Sequence, residues 1–351
     1  MTTRPEASKE QTGDPPGLPL TRLAEFLDTA APGLLTGPLR GKVIAGGKSN
    51  LTYVVTDGAS EVVVRRPPLG HVLATAHDMG REYRVITALG PTGVPVPETY
   101  AMCDDVEVIG APFYVMERVT GTPYRLATEL EPLGADRTRA IVHRMVDTLA
   151  TLHAVDPASV GLADFGRPEG FLARQVRRWA KQLDGSRSRE LPGADELRDL
   201  LAQRVPDESP AAVVHGDFRL DNLLVDDADQ VRAVLDWEMA TLGDPLTDVA
   251  LLLVYQRIAR LATDYPVSNV SLAPGYPTDD EILRRYADAS GRDLSDMGFY
   301  FGLAYFKLAV ILEGIYYRFI HGQTVGDGFE TVGAAVAPLI DAGLAALKEE
   351  N

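Results

Sequence analysis

The hydrophobic pattern of this chain changes period once, and that change limits it to a fold with a strand-rich first part and a helical second part. Between about residues 40 and 117, β-branched and aromatic residues fill short runs punctuated by Gly and Asp. Such runs suit half-buried strands. "RGKVIAGGKSNLTYVVTDGASEVVVRRPP" reads as strand, Gly-containing turn, strand, Asp57-Gly58 hairpin and strand. "VEVIGAPFYVMERVTG" adds two strands. Between them, "TAHDMGREYRVITALGPTG" spaces Met79, Tyr83, Ile86 and Leu89 along one helical face, with Gly90 placed to end it. After residue 123 the spacing becomes helical over 136–155, 170–184, 191–204, 245–262, 278–291 and 298–323.

These patterns predict an α+β chain in three parts. Residues 1–18, polar and rich in Pro and Gly, form a disordered tail. Residues 19–118 form an antiparallel β lobe, entered by a helix in "LTRLAEFLDTAA" with Thr21 as its cap. Residues 119–351 form a larger helical lobe. The 34 basic and 50 acidic residues leave a net charge of −16, which argues against a non-specific grip on nucleic acid or an anionic membrane. With Cys103 as the single cysteine, no intramolecular disulfide framework is possible, and a reducing cytoplasm fits best. No secretory leader or uninterrupted apolar run of about 18 residues is expected.

"VVHGDFRLDNLLVDDADQVRAVLDWE", residues 213–238, interrupts the helical part with acids at the ends of apolar runs. Asp217 follows a strand and a glycine, so its carboxylate projects from a loop, and Asn222 lies five residues on. If the runs 211–214 and 231–235 pair as a hairpin, Asn222 and Asp236 converge and offer the hard oxygen ligands that suit Mg²⁺. Asp217 is then left to orient or deprotonate a hydroxyl, as phosphoryl transfer requires. Asp226, Asp227 and Asp229 read as turn residues.

"HGDFRLDN" and the later "LDWE" resemble the motifs of aminoglycoside phosphotransferases and choline kinases, and most nearly the kinase-like domains associated with acyl-CoA dehydrogenases. The resemblance spans roughly residues 35–325. It implies a bilobal protein-kinase-like fold with ATP between the lobes, and an O-phosphotransferase that uses ATP and Mg²⁺. The implied catalytic segment holds Asp217, His215 and Arg219, with His215 bracing the loop, and Asn222 and Asp236 hold the metal. "AGGKSNLTY" corresponds to the phosphate loop, with Ser49 and Asn50 as donors. Arg65 stands where protein kinases place a lysine, with Glu82 as its partner; strand alternation sends neighbouring Arg66 to the other face. Met116, Glu117 and Val119 would line and read the adenine, and Asp248 would support the loop from below.

The acceptor is less legible. Segments 264–277 and 306–323 are candidates, the latter for Glu313, Tyr316, Tyr317, Arg318 and His321. The basic helix face of Arg174, Arg177, Arg178 and Lys181 would suit a CoA thioester. A small hydroxylated molecule, aminoglycoside-like or metabolic, is the leading expectation, with hydroxyacyl-CoA and a non-catalytic nucleotide-binding module as alternatives. A monomer or homodimer is expected.

Overall fold

The computed structural model describes residues 13–44, 50–70, 78–207, 209–261, 268–324 and 329–348. The chain divides into two compact units, residues 1–90 with 96–119, and residues 91–95 with 120–351.

In the first unit, helix α1 (Leu20–Ala30) precedes strands β1 (Arg40–Val43), β2 (Leu51–Thr56) and β3 (Glu61–Arg66). Helix α2 (Met79–Leu89), β4 (Thr99–Cys103), the single turn α3 (Val106–Ile109) and β5 (Phe113–Glu117) follow. The strands form one antiparallel sheet in the order β1-β2-β3-β5-β4. Alternation assigns its faces. Tyr53, Val55, Val62, Val64, Phe113 and Val115 share a core with Leu23 and Leu27 of α1.

Three expectations need correction here. "VEVI" forms α3 rather than a strand, because Asp105 caps the Glu107 amide at 2.9 Å and Gly110, at φ 86°, ends the turn. The strand lies earlier, in "TYAMC". The cap position of α1 is Pro19, not Thr21. Of the expected tail, Pro15–Leu18 packs onto the sheet: Pro15 is buried, Leu18 is 1% exposed, and the Tyr53 hydroxyl donates to the Pro16 carbonyl at 2.6 Å.

The Asp57-Gly58 hairpin forms as expected, with Gly58 at φ 95°. Asp57 accepts from the amides of Ala59, Ser60 and Thr36, each at 2.8 Å. These amide donors, Ser60 foremost, hold its carboxyl well below the usual carboxylate range. A depressed folded-state pKa adds stability above the unfolded value of about 3.9, and that stability declines as pH falls below it. Asp57→Ala is therefore expected to lower the urea midpoint at pH 7, and the gap from the parent to narrow by pH 3. An equal gap at both pH values would show that the charge is irrelevant.

The second unit is mostly helical: α4 (Ala127–Leu130), α5 (Ala135–Ala154), α6 (Phe171–Ser186), α7 (Ala194–Gln203), α8 (Leu246–Leu261), α9 (Asp279–Ser290), α10 (Met297–Ile320) and α11 (Val336–Lys348). Helix α10 is its core, packed by α6, α7, α8 and α11. By length and composition α10 could cross a membrane, yet 83% of its apolar window is buried inside the protein, as in the core helix of a globular fold. Helix α11 was not anticipated, although Val336, Leu339, Ile340, Gly343, Leu344 and Leu347 keep helical spacing and are buried.

Four short strands lie between α7 and α8: β6 (Ala212–Val214), β7 (Leu223–Val225), β8 (Val231–Val234) and β9 (Thr241–Gly243). Their pairing differs from the expected one. β6 pairs with β9, and β7 pairs with β8, so one hairpin is nested within another. Asp226 turns the inner hairpin by accepting from Ala228 and Gln230 amides, and Asp229 adopts φ 63°. Gly121 lies against β7; a Cβ there would approach the Leu224 Cβ to 2.9 Å.

Candidate active site

The nested pairing places the residues of the 215–236 segment. β6 runs straight into His215 and Gly216, and Gly216, at φ 85°, turns the chain so that Asp217 leaves the strand line. A side chain at 216 would also meet Met239 at 2.9 Å. A short 3-10 turn, Leu220–Asn222, then returns the chain into β7. The Asn222 amide nitrogen donates to the Asp217 carbonyl at 2.8 Å and to its Oδ2 at 3.1 Å. Two residues foreseen as partners in one site therefore touch.

Asn222 also meets the strand leading to Asp236, since its carbonyl accepts from the Leu235 amide at 2.8 Å, next to the Leu223↔Val234 pair. Asp236 sits at φ 66° and ψ 62°, a left-handed conformation that lets the chain turn sharply out of β8. The Asn222 and Asp236 side chains supply hard oxygen donors on adjoining segments. Among the described residues no group of three or more His, Cys, Asp or Glu could hold a metal. Two protein oxygens suit Mg²⁺, which commonly completes its shell with water and substrate phosphates.

His215 has no exposed surface. Its Nε2 lies 2.9 Å from the Leu235 carbonyl, its Nδ1 accepts from the Asp217 amide at 3.2 Å, and its ring packs on Trp237 at 4.7 Å. With both ring nitrogens engaged, it has the geometry of a brace. Asp248, 1% exposed, accepts from the His215 amide at 2.7 Å and the Gly216 amide at 2.8 Å, and its Oδ2 lies 3.3 Å from His153 Nε2. Burial favours the neutral acid here, but the His153 hydrogen bond and the His215 contacts outweigh it and hold the carboxyl below its ordinary range.

Arg219 lies over the Tyr255 ring at 4.6 Å, donates to Asp221 Oδ2 at 2.8 Å, and brings Nε within 3.5 Å of Asp217 Oδ1. Burial works to lower the guanidinium pKa, but the carboxylates of Asp217 and Asp221 raise it overall. Burial pushes the Asp221 carboxyl up. Asp217 Oδ1, Arg219 Nε and Asp221 Oδ1 are buried without a hydrogen bond. Such orphaned polar atoms suit a site completed by a ligand. Asp221 was absent from the sequence-based site, though its place directly before Asn222 was a signal.

In the first unit, Glu82 is the hub. It is 2% exposed and takes Arg65 Nε at 2.8 Å, Tyr114 OH at 2.9 Å and Asn50 Nδ2 at 3.0 Å. The Arg65–Glu82 pair is the one expected. Arg66 does face the other way, capping the carbonyls of Gly17 and Ile109. Asn50, expected as a phosphate donor, is instead 3% exposed and directs its amide nitrogen at Glu82. Gly46, Gly47 and Ser49 lie outside the described residues. Met116 is buried in β5, and the Glu117 amide donates to the Glu98 carbonyl at 2.7 Å. Val119 follows that strand, in the stretch that ends the first unit.

The α10 candidates for acceptor binding resolve differently. Glu313 is fully buried and bonded to Ser188 and Arg189, while Arg189 stacks on Tyr316 at 4.4 Å. His321 Nδ1 turns back to the Tyr317 carbonyl. Arg318 is exposed. Of segment 264–277, residues 264–267 lie outside the described residues; Ser268 and Asn269 tie the remainder to Arg125 and Ala127.

Residues 40–297 match the family described as "Phosphotransferase enzyme family". The chain belongs to that family. Over 315 residues, 88% of this chain, it is 35% identical to acyl-CoA dehydrogenase family member 11 of Gallus gallus, and it spans 40% of that relative's length. A putative aminoglycoside phosphotransferase from Ralstonia eutropha superposes with a TM-score of 0.83 at 32% identity, covering 94% of this chain and 98% of the other. A thermostable mutant aminoglycoside phosphotransferase, solved as a ternary complex with AMP-PNP and hygromycin B, shares the fold with a TM-score of 0.60 at 16% identity, covering 93% and 98%. The kinase-like fold expected from the sequence is thus the family's fold.

Proposed function

We propose that the chain is an ATP- and Mg²⁺-dependent O-phosphotransferase that moves the γ-phosphoryl group of ATP to a hydroxyl of a small molecule. The observation that carries this reading is the direct contact of Asn222 with Asp217, on a loop whose backbone is fixed by Asp248. Family membership and the AMP-PNP complex of a fold relative support ATP as the donor.

Each residue's part follows from its surroundings. Arg65, oriented by Glu82, would steady the phosphates through its remaining N–H groups. Asn222 and Asp236 would hold Mg²⁺, which when bound neutralises charge on the β- and γ-phosphates. Asp217 would accept a hydrogen bond from the acceptor hydroxyl, align its oxygen in line with the γ-phosphorus and take its proton as the bond to phosphorus forms. ADP leaves with the bridging oxygen.

A second acceptor class, a hydroxyacyl thioester, draws support from the acyl-CoA dehydrogenase name of the Gallus gallus relative. A mass-spectrometric screen for ATP-dependent gain of one phosphoryl group tests both, over aminoglycosides, macrolides, choline-like alcohols and hydroxyacyl-CoAs. A phosphorylated product from any of these, absent when Mg²⁺ is chelated, is the expected result. ATP binding without product, Mg²⁺ dependence or slow hydrolysis would instead indicate a non-catalytic nucleotide-binding module.

A further inference from the structure

Helix α10 carries one lysine, and it sits where the core meets the 215–222 loop. Lys307 Nζ donates to the Gly216 carbonyl at 3.1 Å. Its side chain is part-buried, with the ammonium 5.8 Å from the centre of the Trp179 ring, a wall contributed by α6. A lysine in the middle of a largely apolar helix is costly unless its charge meets a partner. Here the charges facing it are the carboxylates of Asp217 and Asp248, which favour the ammonium, and the guanidinium of Arg178, which opposes it; burial is the largest influence and lowers its pKa.

The carbonyl it holds belongs to the peptide bond that joins Gly216 to Asp217. The amide on the other side of Gly216 is already held by Asp248 at 2.8 Å. The glycine at φ 85° is thus gripped from both sides, by an acceptor on α8 and a donor on α10. The two anchors act on successive peptide planes: Asp248 fixes the plane before Gly216, while the Gly216–Asp217 plane is held at its amide by His215 Nδ1 at 3.2 Å and at its carbonyl by Lys307. Without Lys307 that second plane could rock about the His215 bond, and the direction in which Asp217 leaves the loop follows from it.

We propose that Lys307 is a positioning residue for phosphoryl transfer, clamping the Gly216 carbonyl so that Asp217 is held at its working angle. The proposal rests on the O-phosphotransferase reading for its kinetic consequence, but the clamp itself does not. Asp248 and Lys307 are then complementary halves of one device, a carboxylate acceptor for the amide of Gly216 and an ammonium donor for its carbonyl.

Lys307→Met tests this, because Met keeps a flexible apolar stem of similar length while removing the donor and the charge. Lys307→Arg restores a cationic donor. Hydrogen–deuterium exchange of the full chain, free of nucleotide, is the first measurement. Lys307→Met should speed exchange in the 215–222 peptide selectively, and Lys307→Arg should return it toward the parent rate. Unchanged exchange in that peptide, or an equal rise across α8 and α10, would overturn the clamp.

The second measurement is phosphate release from Mg-ATP with water as acceptor. Lys307→Met should lower kcat about 10-fold or more with KM for ATP within about 2-fold, a loss confined to the reacting geometry, and Lys307→Arg should recover part of it. An unchanged kcat, or KM rising in step with the fall in kcat, would overturn the positioning role. If the parent protein neither hydrolyses ATP nor phosphorylates any screened acceptor, the functional reading fails, while the exchange experiment still decides whether Lys307 clamps the loop.

Discussion

Asp217→Asn is expected to slow phosphoryl transfer by about 10²–10⁴-fold while ATP affinity stays within a few-fold of the parent, the range associated with losing a positioned general base. The amide is nearly isosteric, and its oxygen can still accept from Asn222, which lies 3.1 Å from Asp217 Oδ2. What disappears is the negative charge beside Arg219, 3.5 Å away, and the capacity to take a hydroxyl proton. Nucleotide titration and acceptor-dependent ADP release, measured on the same preparation, separate these effects. A parental rate in the variant would remove Asp217 from the reaction.

Asp248→Ala is expected to cost about 3–5 kcal/mol of stability, the scale for breaking a buried charged network by deleting one partner. Two loop amides lose their acceptor at once, those of His215 and Gly216, and His153 loses its Nε2 partner. Each stranded buried donor alone carries about 1–3 kcal/mol. His153 remains pinned through Nδ1 to the Tyr286 hydroxyl at 2.7 Å, so the damage should centre on the loop rather than spread through α5 and α9. Urea unfolding at pH 7 gives the value. Because Asp248 is held below the ordinary carboxylate range, its contribution is present at neutral pH and is lost as pH falls into the acid range where it protonates. A loss under about 1 kcal/mol would mean that water replaces the carboxylate.

Much of the architecture could be read from residue spacing. Long amphipathic helices such as α5 and α6 declare themselves because one buried stripe repeats many times, and the Asp57-Gly58 hairpin because its residues satisfy a specific turn. Short elements did not. "VEVI" has strand composition, yet one side-chain cap and one left-handed glycine were enough to make it helical. The pairing of β6 with β9 was missed because strands of three residues carry almost no register information, and nearness in sequence suggested the wrong partner.

The site shows the same division. The nearness of Asp217 and Asn222 was legible from loop spacing, whereas the Arg65–Glu82 pair came from the family resemblance, with strand alternation choosing Arg65 over Arg66. Tyr114 at Glu82 and Lys307 at Gly216 were not, since each reaches its partner across distant sequence. Nor did composition reveal that Glu313 is occupied by Arg189, a contact made by folding a loop back onto α10.

The nested strand pairs also imply an order of assembly. β7 and β8 are joined by a short acidic turn and can meet early, whereas β6 and β9 must close a much longer stretch of chain. Once the inner hairpin forms, that stretch is effectively shortened, so the outer pair closes at lower entropic cost. Asn222 and Asp236 flank the inner hairpin, whereas Asp217 depends on the outer pair that anchors β6. The segment that would bind metal should therefore become ordered during folding before the carboxylate that would meet the acceptor.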